Sequence, residues 1–364
     1  MARTNRAAWL PGPHENLEIR PSELVKPGRD QVLVKNRAVS INPIDWKIQD
    51  GYMPTDKPRI LGQDVAGEVV EVGTGVTGFS VGQRVLAHVV GLATGIPQQS
   101  AFQGYSVATV LGTCPIPDDV SFEQAAVLPL AVSTAAHGLF SPKHLGLPLP
   151  RPHDVAQQED TGTTKRTGTL LVWGAASSVG CVAVQLAVAA GVKVVATASK
   201  RNFDFCKHIG AEHVFDYNSP SVVGDLTDAL EEKNVIGAYD ALVLAQLGGG
   251  PLAVTLSPAD EIPATVNANP GMSVTGFFSF TITTDLIFFP PSFFFFYAVN
   301  IIVSDKDKAI GHAIWHEFLP DALKSGQIKP LPNPFVFGHG LESLQGALDK
   351  QRAGVSAAKV VVTL

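Results

Sequence analysis

A short apolar stretch, a string of small residues and a helical start follow one another directly in Leu170-Leu171-Val172-Trp173-Gly174-Ala175-Ala176-Ser177-Ser178-Val179-Gly180. Leu170 to Trp173 has the length and unbroken hydrophobicity of a strand buried on both faces, and Val182 to Ala190 continues as an alanine- and valine-rich helix. The first N–H groups of a helix have no partner within it and lie at the positive end of the aligned peptide dipoles. A diphosphate can rest there if no bulky side chain intervenes, so small size is the property that matters. A second strand, Lys193 to Ser199, begins after Gly191 at the separation a βαβ unit requires. The glycine fingerprint of such units survives as Ala175-x-Ser177-x-x-Gly180, with its last glycine kept. The run therefore predicts a dinucleotide site with Gly174, Ser177, Ser178 and Val179 against the ligand; a buried αβ junction without ligand is the competing reading.

The end of the second strand selects between dinucleotides. A carboxylate there bonds the ribose 2′-hydroxyl of NAD, whereas cations or hydroxyls suit the 2′-phosphate of NADP. This chain has Ser199-Lys200-Arg201-Asn202, and no carboxylate precedes Asp204. NADP(H) is the expected cofactor. Tyr217 either flanks the same ribose or is a half-buried strand aromatic. The two cations could equally belong to a solvated basic loop.

At 364 residues, 45% hydrophobic and 16% charged, the chain is long enough for two well-buried domains. A net charge of -6 without a long basic run argues against nucleic acid as a partner. Three scattered cysteines, Cys114, Cys181 and Cys206, suggest a reducing compartment and form no metal pair. Too few apolar residues precede Pro11 for a signal-peptide core, so a cytoplasmic location is expected. The uncharged, Phe-rich stretch from Leu286 to Val303 has the length of a membrane span, but Pro290-Pro291 interrupts it and the membrane reading is disfavoured.

Short Val-rich strands punctuated by glycine occur at Gln31–Lys35, Gly67–Gly73 and Gly82–Leu86, a spacing that suggests a barrel. Phe122 to Leu139 reads as two helical stretches around Pro129. Arg151 to Thr169 is polar and reads as a surface loop. The last residues, Ala357 to Leu364, form a strong strand expected to rejoin the first domain.

Four segments, Ile41-Asn42-Pro43-Ile44-Asp45-Trp46-Lys47, Leu61-Gly62-Gln63-Asp64-Val65-Ala66-Gly67-Glu68-Val69, Val81-Gly82-Gln83-Arg84-Val85 and Gln124-Ala125-Ala126-Val127-Leu128-Pro129, resemble the medium-chain dehydrogenase/reductase superfamily. Within it they are similar to the zinc-free quinone-oxidoreductase branch. Leu145-Gly146-Leu147-Pro148-Leu149-Pro150, Asn202-Phe203-Asp204 and Gly210 to Tyr217 narrow the likeness to fungal trans-acting enoyl reductases of polyketide biosynthesis. The likeness covers residues 5–245 and 321–364. It implies an α/β chain with a GroES-like β-barrel catalytic domain from residues 1–135 and 304–364, and a Rossmann domain with a doubly wound parallel sheet from 136–303. Two departures stand out. Ser177 replaces the middle glycine of the family's pattern, and beyond Ala245 the pattern breaks down where a helix and then a strand are expected. A deletion plus an insertion, or an intron retained in the reading frame, accounts for the second.

Zinc-dependent relatives carry a Cys, a His-Glu pair and a four-cysteine lobe, since zinc takes sulfur and nitrogen ligands in tetrahedral number. The matching positions here hold Asn42, Gln63 and Asp64, and the lobe is missing, so no metal is expected. His312-x-x-x-His316-Glu317 lacks the glutamate that follows the first histidine of a zinc-protease helix and reads as a solvated pair. By resemblance, Asn42, Ile44, Asp45 and Lys47 lie against the cofactor and Thr134 lies near the nicotinamide. Thr134 and Lys47 are then the candidate catalytic donors to a carbonyl oxygen that gains charge when hydride reaches the β-carbon of an enone or enoyl thioester. For Thr134, a bond from its hydroxyl to the preceding helical turn is the plain alternative. The expectation is NADPH-dependent, zinc-independent reduction of activated C=C bonds on a carrier-tethered acyl or small-molecule substrate, with a polyketide synthase as the possible partner. A quinone or enone reductase on free small molecules and a nucleotide-binding relative without turnover are the alternatives. The resemblance admits a monomer or a homodimer.

Overall fold

Valine-rich segments near the chain start alternate or run apolar at the period of strands, and the computed structural model builds them so, describing residues 4–53, 57–152, 168–239, 250–254, 272–276, 302 and 307–364. The chain divides into two units, Met1–Ala131 with Pro330–Leu364, and Val132–Lys329.

In the first unit, numbering along the chain, the strands are β1 (Asn5–Leu10), β2 (Glu18–Ser22), β3 (Gln31–Ser40), β4 (Arg59–Ile60), β5 (Asp64–Val72), β6 (Arg84–His88), β7 (Tyr105–Thr109), β8 (Thr113–Pro115), β15 (Asn333–His339) and β16 (Ala358–Thr363). A small sheet has the order β2-β1-β4. The larger one, of seven strands, runs β15-β16-β3-β5-β6-β8, with β7 also on β3. The ten-residue β3 serves two partners along one edge: Gln31–Lys35 pair with β7 and Ala38–Ser40 with β16. The C-terminal strand thus rejoins the first unit through β3. Val32, Val34, Ala38, Val39, Val65, Ala66, Val69, Val85, Leu86 and Val360 to Val362 are buried there.

Helix α1 (Pro43–Gln49) leaves this sheet after β3. Proline at its first position has no N–H to leave orphaned. The Asp45 carboxylate accepts the Asn42 N–H at 2.8 Å, which closes one half of a capping box. At the other end, Arg352 on α10 (Leu344–Arg352) donates to Asp50 at 2.8 Å and to Gln49 at 2.9 Å.

The second unit contains the parallel sheet. Its strands are β9 (Thr169–Val172), β10 (Lys193–Ala198), β11 (His213–Asp216), β12 (Val235–Tyr239), β13 (Gly250–Val254) and β14 (Met272–Gly276). They run in the order β11-β10-β9-β12-β13-β14 with every pairing parallel. This is the doubly wound order that puts a switch point beside the first strand. The helix predicted after the small-residue turn is α5 (Ser178–Ala189), with Gly180 to Ala187 all buried. An apolar surface all round explains that burial.

The remaining helices are α2 (Gly91–Thr94), α3 (Phe122–Ala125), α4 (Pro129–Phe140), α6 (Phe203–His208), α7 (Val222–Leu230), α8 (Lys308–His312) and α9 (Leu319–Ser325). As read from the sequence, two helical stretches meet at Pro129. A π-helical turn, Ala313–Phe318, joins α8 to α9.

Residues 307–329, placed by the sequence reading with the chain ends, belong to the second unit. Gln185 on α5 accepts the Lys329 N–H at 2.8 Å and donates to its carbonyl at 3.3 Å. Beyond Ala245 the sheet continues with β13 and β14, although the sequence pattern is lost there. The aromatic run 286–303, apart from Ile302, and residues 153–167 of the polar loop lie outside the described residues. Among the described residues no helix is long and apolar enough to cross a membrane.

Candidate active site and cofactor-binding residues

The turn after β9 takes its shape from a few backbone bonds. Gly174 has φ +72, a conformation that side chains disfavour. Its N–H donates to Thr197 Oγ1 at 3.0 Å, and the next N–H, of Ala175, donates to the Thr197 carbonyl at 2.9 Å. Ser177 N–H returns to the Gly174 carbonyl at 3.0 Å. Gly180 must lack a Cβ, because one would lie 2.4 Å from the Gly174 carbonyl oxygen.

Ser177, the departure from the family pattern, has φ -72 and ψ 164, which any residue adopts. Its hydroxyl caps α5 by accepting the Gly180 N–H at 3.1 Å. The serine is therefore compatible with the turn. Once these bonds are assigned, the N–H groups of Ala176, Ser178 and Val179 have no hydrogen-bond partner among the described residues. The Ser178 hydroxyl oxygen is buried and also lacks one. Three unpartnered amides thus lie at the positive end of a twelve-residue helix, an arrangement that favours an anion.

The loop after β10 begins as a helical turn over Lys200–Asn202. Lys200 and Arg201 are exposed and make no ion pair among the described residues. Asn202 is buried and donates to Ser199 Oγ at 3.1 Å, so it shapes the loop from within. Asp216, at the end of β11 beside Ala198, is occupied by the Asn218 N–H at 3.0 Å. No carboxylate stands at the end of β10 itself. Tyr217 is 41% exposed and faces Trp173, ring centroids 6.5 Å apart, so it lies past the strand end and is not a strand-interior aromatic.

Thr134 lies within α4 and is 3% exposed, yet its hydroxyl has no partner among the described residues. The bond to the preceding turn, the plain alternative for this residue, is not formed. A buried, unpaired hydroxyl is costly and calls for an explanation in bound ligand or function.

In the first unit, Asn42 is the N-cap of α1, Ile44 and Asp45 lie in its first turn and Lys47 in its last. Ile44 is 3% exposed and packs in the core. Asp45, fully buried, accepts the N–H groups of Asn42 and, at 3.1 Å, of Gly62. Burial pushes its carboxyl up to about 7, with Asp64 nearby adding to the rise. Lys47 is half-buried; its ammonium lies 5.8 Å from the centre of the Trp46 ring and has no ion pair among the described residues.

The sequence reading passed over Lys359. Strand β16 pairs antiparallel with β3, Val361 opposite Ser40, which carries Lys359 to the start of α1. Its ammonium donates to Asn42 Oδ1 and lies 3.2 Å from Asp64 Oδ2, with both side chains buried. Asp64 also accepts from Ser40 Oγ at 2.6 Å, Asn42 Nδ2 at 2.8 Å and the Leu130 N–H at 2.6 Å. A lone charge in the run Ala357-Ala358-Lys359-Val360-Val361 was the available signal.

This network tests whether zinc fits. Both ends of the Asn42 amide and both Asp64 oxygens are engaged, and a fixed cation already balances the carboxylate. Gln63 offers a carboxamide where a metal needs sulfur or imidazole. His88, 3.4 Å from Gln63 Oε1, is buried, and burial pushes its imidazole down to about 4. These residues do not fit a zinc ion. Elsewhere, among the described residues, no group of three or more His, Cys, Asp or Glu is placed to hold a metal. His312 and His316 stack at 5.3 Å, and His312, exposed, bonds Glu317 at 3.0 Å.

Comparisons with known proteins bear on the whole chain. Residues 28–132 match the family described as alcohol dehydrogenase GroES-like domain, and residues 178–246 match the one described as zinc-binding dehydrogenase. The dehydrogenase pigH of Monascus ruber is 40% identical over 391 residues, spanning 99% of this chain and 100% of that protein. The trans-enoyl reductase himH of Aspergillus japonicus is 35% identical over 377 residues, spanning 99% and 97%. Among solved structures, an alcohol dehydrogenase superfamily protein from Novosphingobium aromaticivorans has the same fold, with a TM-score of 0.72 at 22% identity over 99% of this chain and 100% of that one. With its GroES-like unit, its doubly wound nucleotide sheet and these full-length relatives, the chain belongs to the medium-chain dehydrogenase/reductase superfamily of oxidoreductases.

Proposed function

We propose that this protein is an NADPH-dependent, zinc-independent reductase of activated C=C bonds, acting in trans on a carrier-tethered polyketide enoyl chain. The observation that carries the reading is the combination of a free amide cradle after β9 with a zinc position filled by the Lys359–Asp64 pair. Without a Lewis acid, the charge that hydride addition creates must be stabilised by positioned hydrogen-bond donors, and an acceptor whose own conjugation spreads that charge lowers the demand on them. The full-length relative named as a trans-enoyl reductase supports the enoyl class of acceptor.

A reduced nicotinamide, when bound, would supply hydride to the acceptor's β-carbon, and solvent would supply the proton that the resulting enolate takes up at its α-carbon. The chain's own residues bind and orient the reactants. The Ala176, Ser178 and Val179 amides hold the diphosphate. Lys200 and Arg201 neutralise the 2′-phosphate, and the end of β10 lacks the carboxylate that would favour a ribose 2′-hydroxyl instead. Gly174, Ser177 and Ser199 shape the two loops, Asn202 braces the second, and Tyr217 flanks the ribose. Asn42, Ile44 and Asp45 keep α1 in place, and the resemblance to the family makes Lys47 a candidate donor to the carbonyl oxygen or to a cofactor phosphate. The Thr134 hydroxyl is the second candidate donor at the reacting end.

Following NADPH oxidation with a crotonyl thioester, a simple quinone and no acceptor tests the proposal. Turnover is expected with the thioester, slowed by tenfold or more in Thr134→Ala and in Lys47→Met. Turnover with the quinone alone would replace the proposal with reduction of free small molecules.

A further inference from the structure

Thr197 sits on β10, wholly buried, two residues before the basic loop, and spends both of its acceptor groups on the turn that follows β9. Its hydroxyl takes the N–H of Gly174 at 3.0 Å and its carbonyl takes the N–H of Ala175 at 2.9 Å. These two bonds divide the donors of the turn. The amides of residues 174 and 175 bond to β10, whereas those of 176, 178 and 179 have no partner among the described residues. Of the two bonds only the first depends on the side chain, and Gly174 is the residue whose positive φ reverses the chain there.

We propose that Thr197 is a positioning residue for the dinucleotide: its hydroxyl fixes the Gly174 peptide so that the remaining amides converge on the diphosphate. This rests on the reading of the turn as a nicotinamide-dinucleotide site. Valine has nearly the same shape as threonine but offers no acceptor, so Thr197→Val leaves the half-buried Gly174 N–H without its partner. The Gly174 peptide then rotates to find one, and the cradle loses its geometry. The 2′-phosphate loop is unaffected in this scheme, because Ser199 to Asn202 makes its own bonds.

Two classes of ligand separate this role from a general loosening of β10. ADP-ribose, NADH and NADPH carry the diphosphate; adenosine 2′-phosphate carries only the phosphate read by Lys200 and Arg201. Titration calorimetry on the full-length protein is expected to show Thr197→Val binding the first three about tenfold more weakly and adenosine 2′-phosphate as the wild type does. Thr197→Ser, which keeps the hydroxyl, should restore diphosphate binding to within about twofold. Equal weakening of adenosine 2′-phosphate, no weakening of any ligand, or failure of serine to rescue would overturn the assignment. If Thr197→Val does not fold, Thr197→Ala, which also lacks the acceptor, carries the same comparison against serine. Wild-type protein that binds none of the four would instead remove the site reading on which the proposal stands.

Discussion

Lys359 and Asp64 form an ion pair buried in the first unit. Two charges taken out of water are tolerated because Asn42, Ser40 and the Leu130 N–H complete the carboxylate's bonds. Lys359→Met leaves that carboxylate buried and uncompensated and should cost about 3–5 kcal/mol, read as a shift in the urea midpoint. Pairing it with Asp64→Asn should recover most of the loss; a double variant as unstable as the single one would show that the charge pair is not the cause. At this scale the sequence was partly informative. Gly174, Lys200, Arg201 and Tyr217 could be singled out because turn geometry and loop charge are local properties. Thr197 and Lys359 could not, since each acts on a segment more than twenty residues away that only strand pairing brings near.

Among the elements, α4 with the loop after it and β6 hold three buried imidazoles. Burial pushes His88 and His137 down to about 4 and His144 to about 3. The unfolded chain takes up protons on these groups below about pH 6.5, whereas the folded protein resists until about pH 4, so stability falls as the pH drops through that window. Asp45 works in the opposite sense: with its carboxyl raised to about 7, the folded state holds a proton that the unfolded chain releases above 3.8, and stability from this group declines as pH rises between those values. Three imidazoles outweigh one carboxyl. The urea midpoint should therefore fall between pH 7 and pH 5, and fall more steeply in Asp45→Asn; a midpoint that is level or rising toward pH 5 would contradict this. Element types were readable where one period dominates, as in β3, β5, β9 and α5. Strands β13 and β14 were lost because a parallel edge is recognised by its partners, and the local sequence after Ala245 carries no comparable pattern.

For the whole molecule, the two-part organisation was legible because the superfamily's motifs occur in order along the chain. The C-terminal limit of the second unit was not, since it depends on how Gln185 holds Lys329. A zinc position closed by a lysine predicts that extended dialysis against a chelator leaves turnover and thermal midpoint unchanged, and that added zinc does not raise activity. Loss on chelation with recovery on zinc would reverse the reading of Asn42, Gln63 and Asp64. The proposed cofactor recognition depends on a diphosphate cradle after β9 and a 2′-phosphate contact after β10. Titrating NADPH and NADH into wild-type protein and into the Lys200→Ala/Arg201→Ala variant measures both together. NADPH should bind at least tenfold tighter than NADH to the wild type, and the double variant should bring the two to within about threefold by weakening NADPH alone. Absence of binding by either coenzyme, or a preference that the double variant leaves intact, would contradict it.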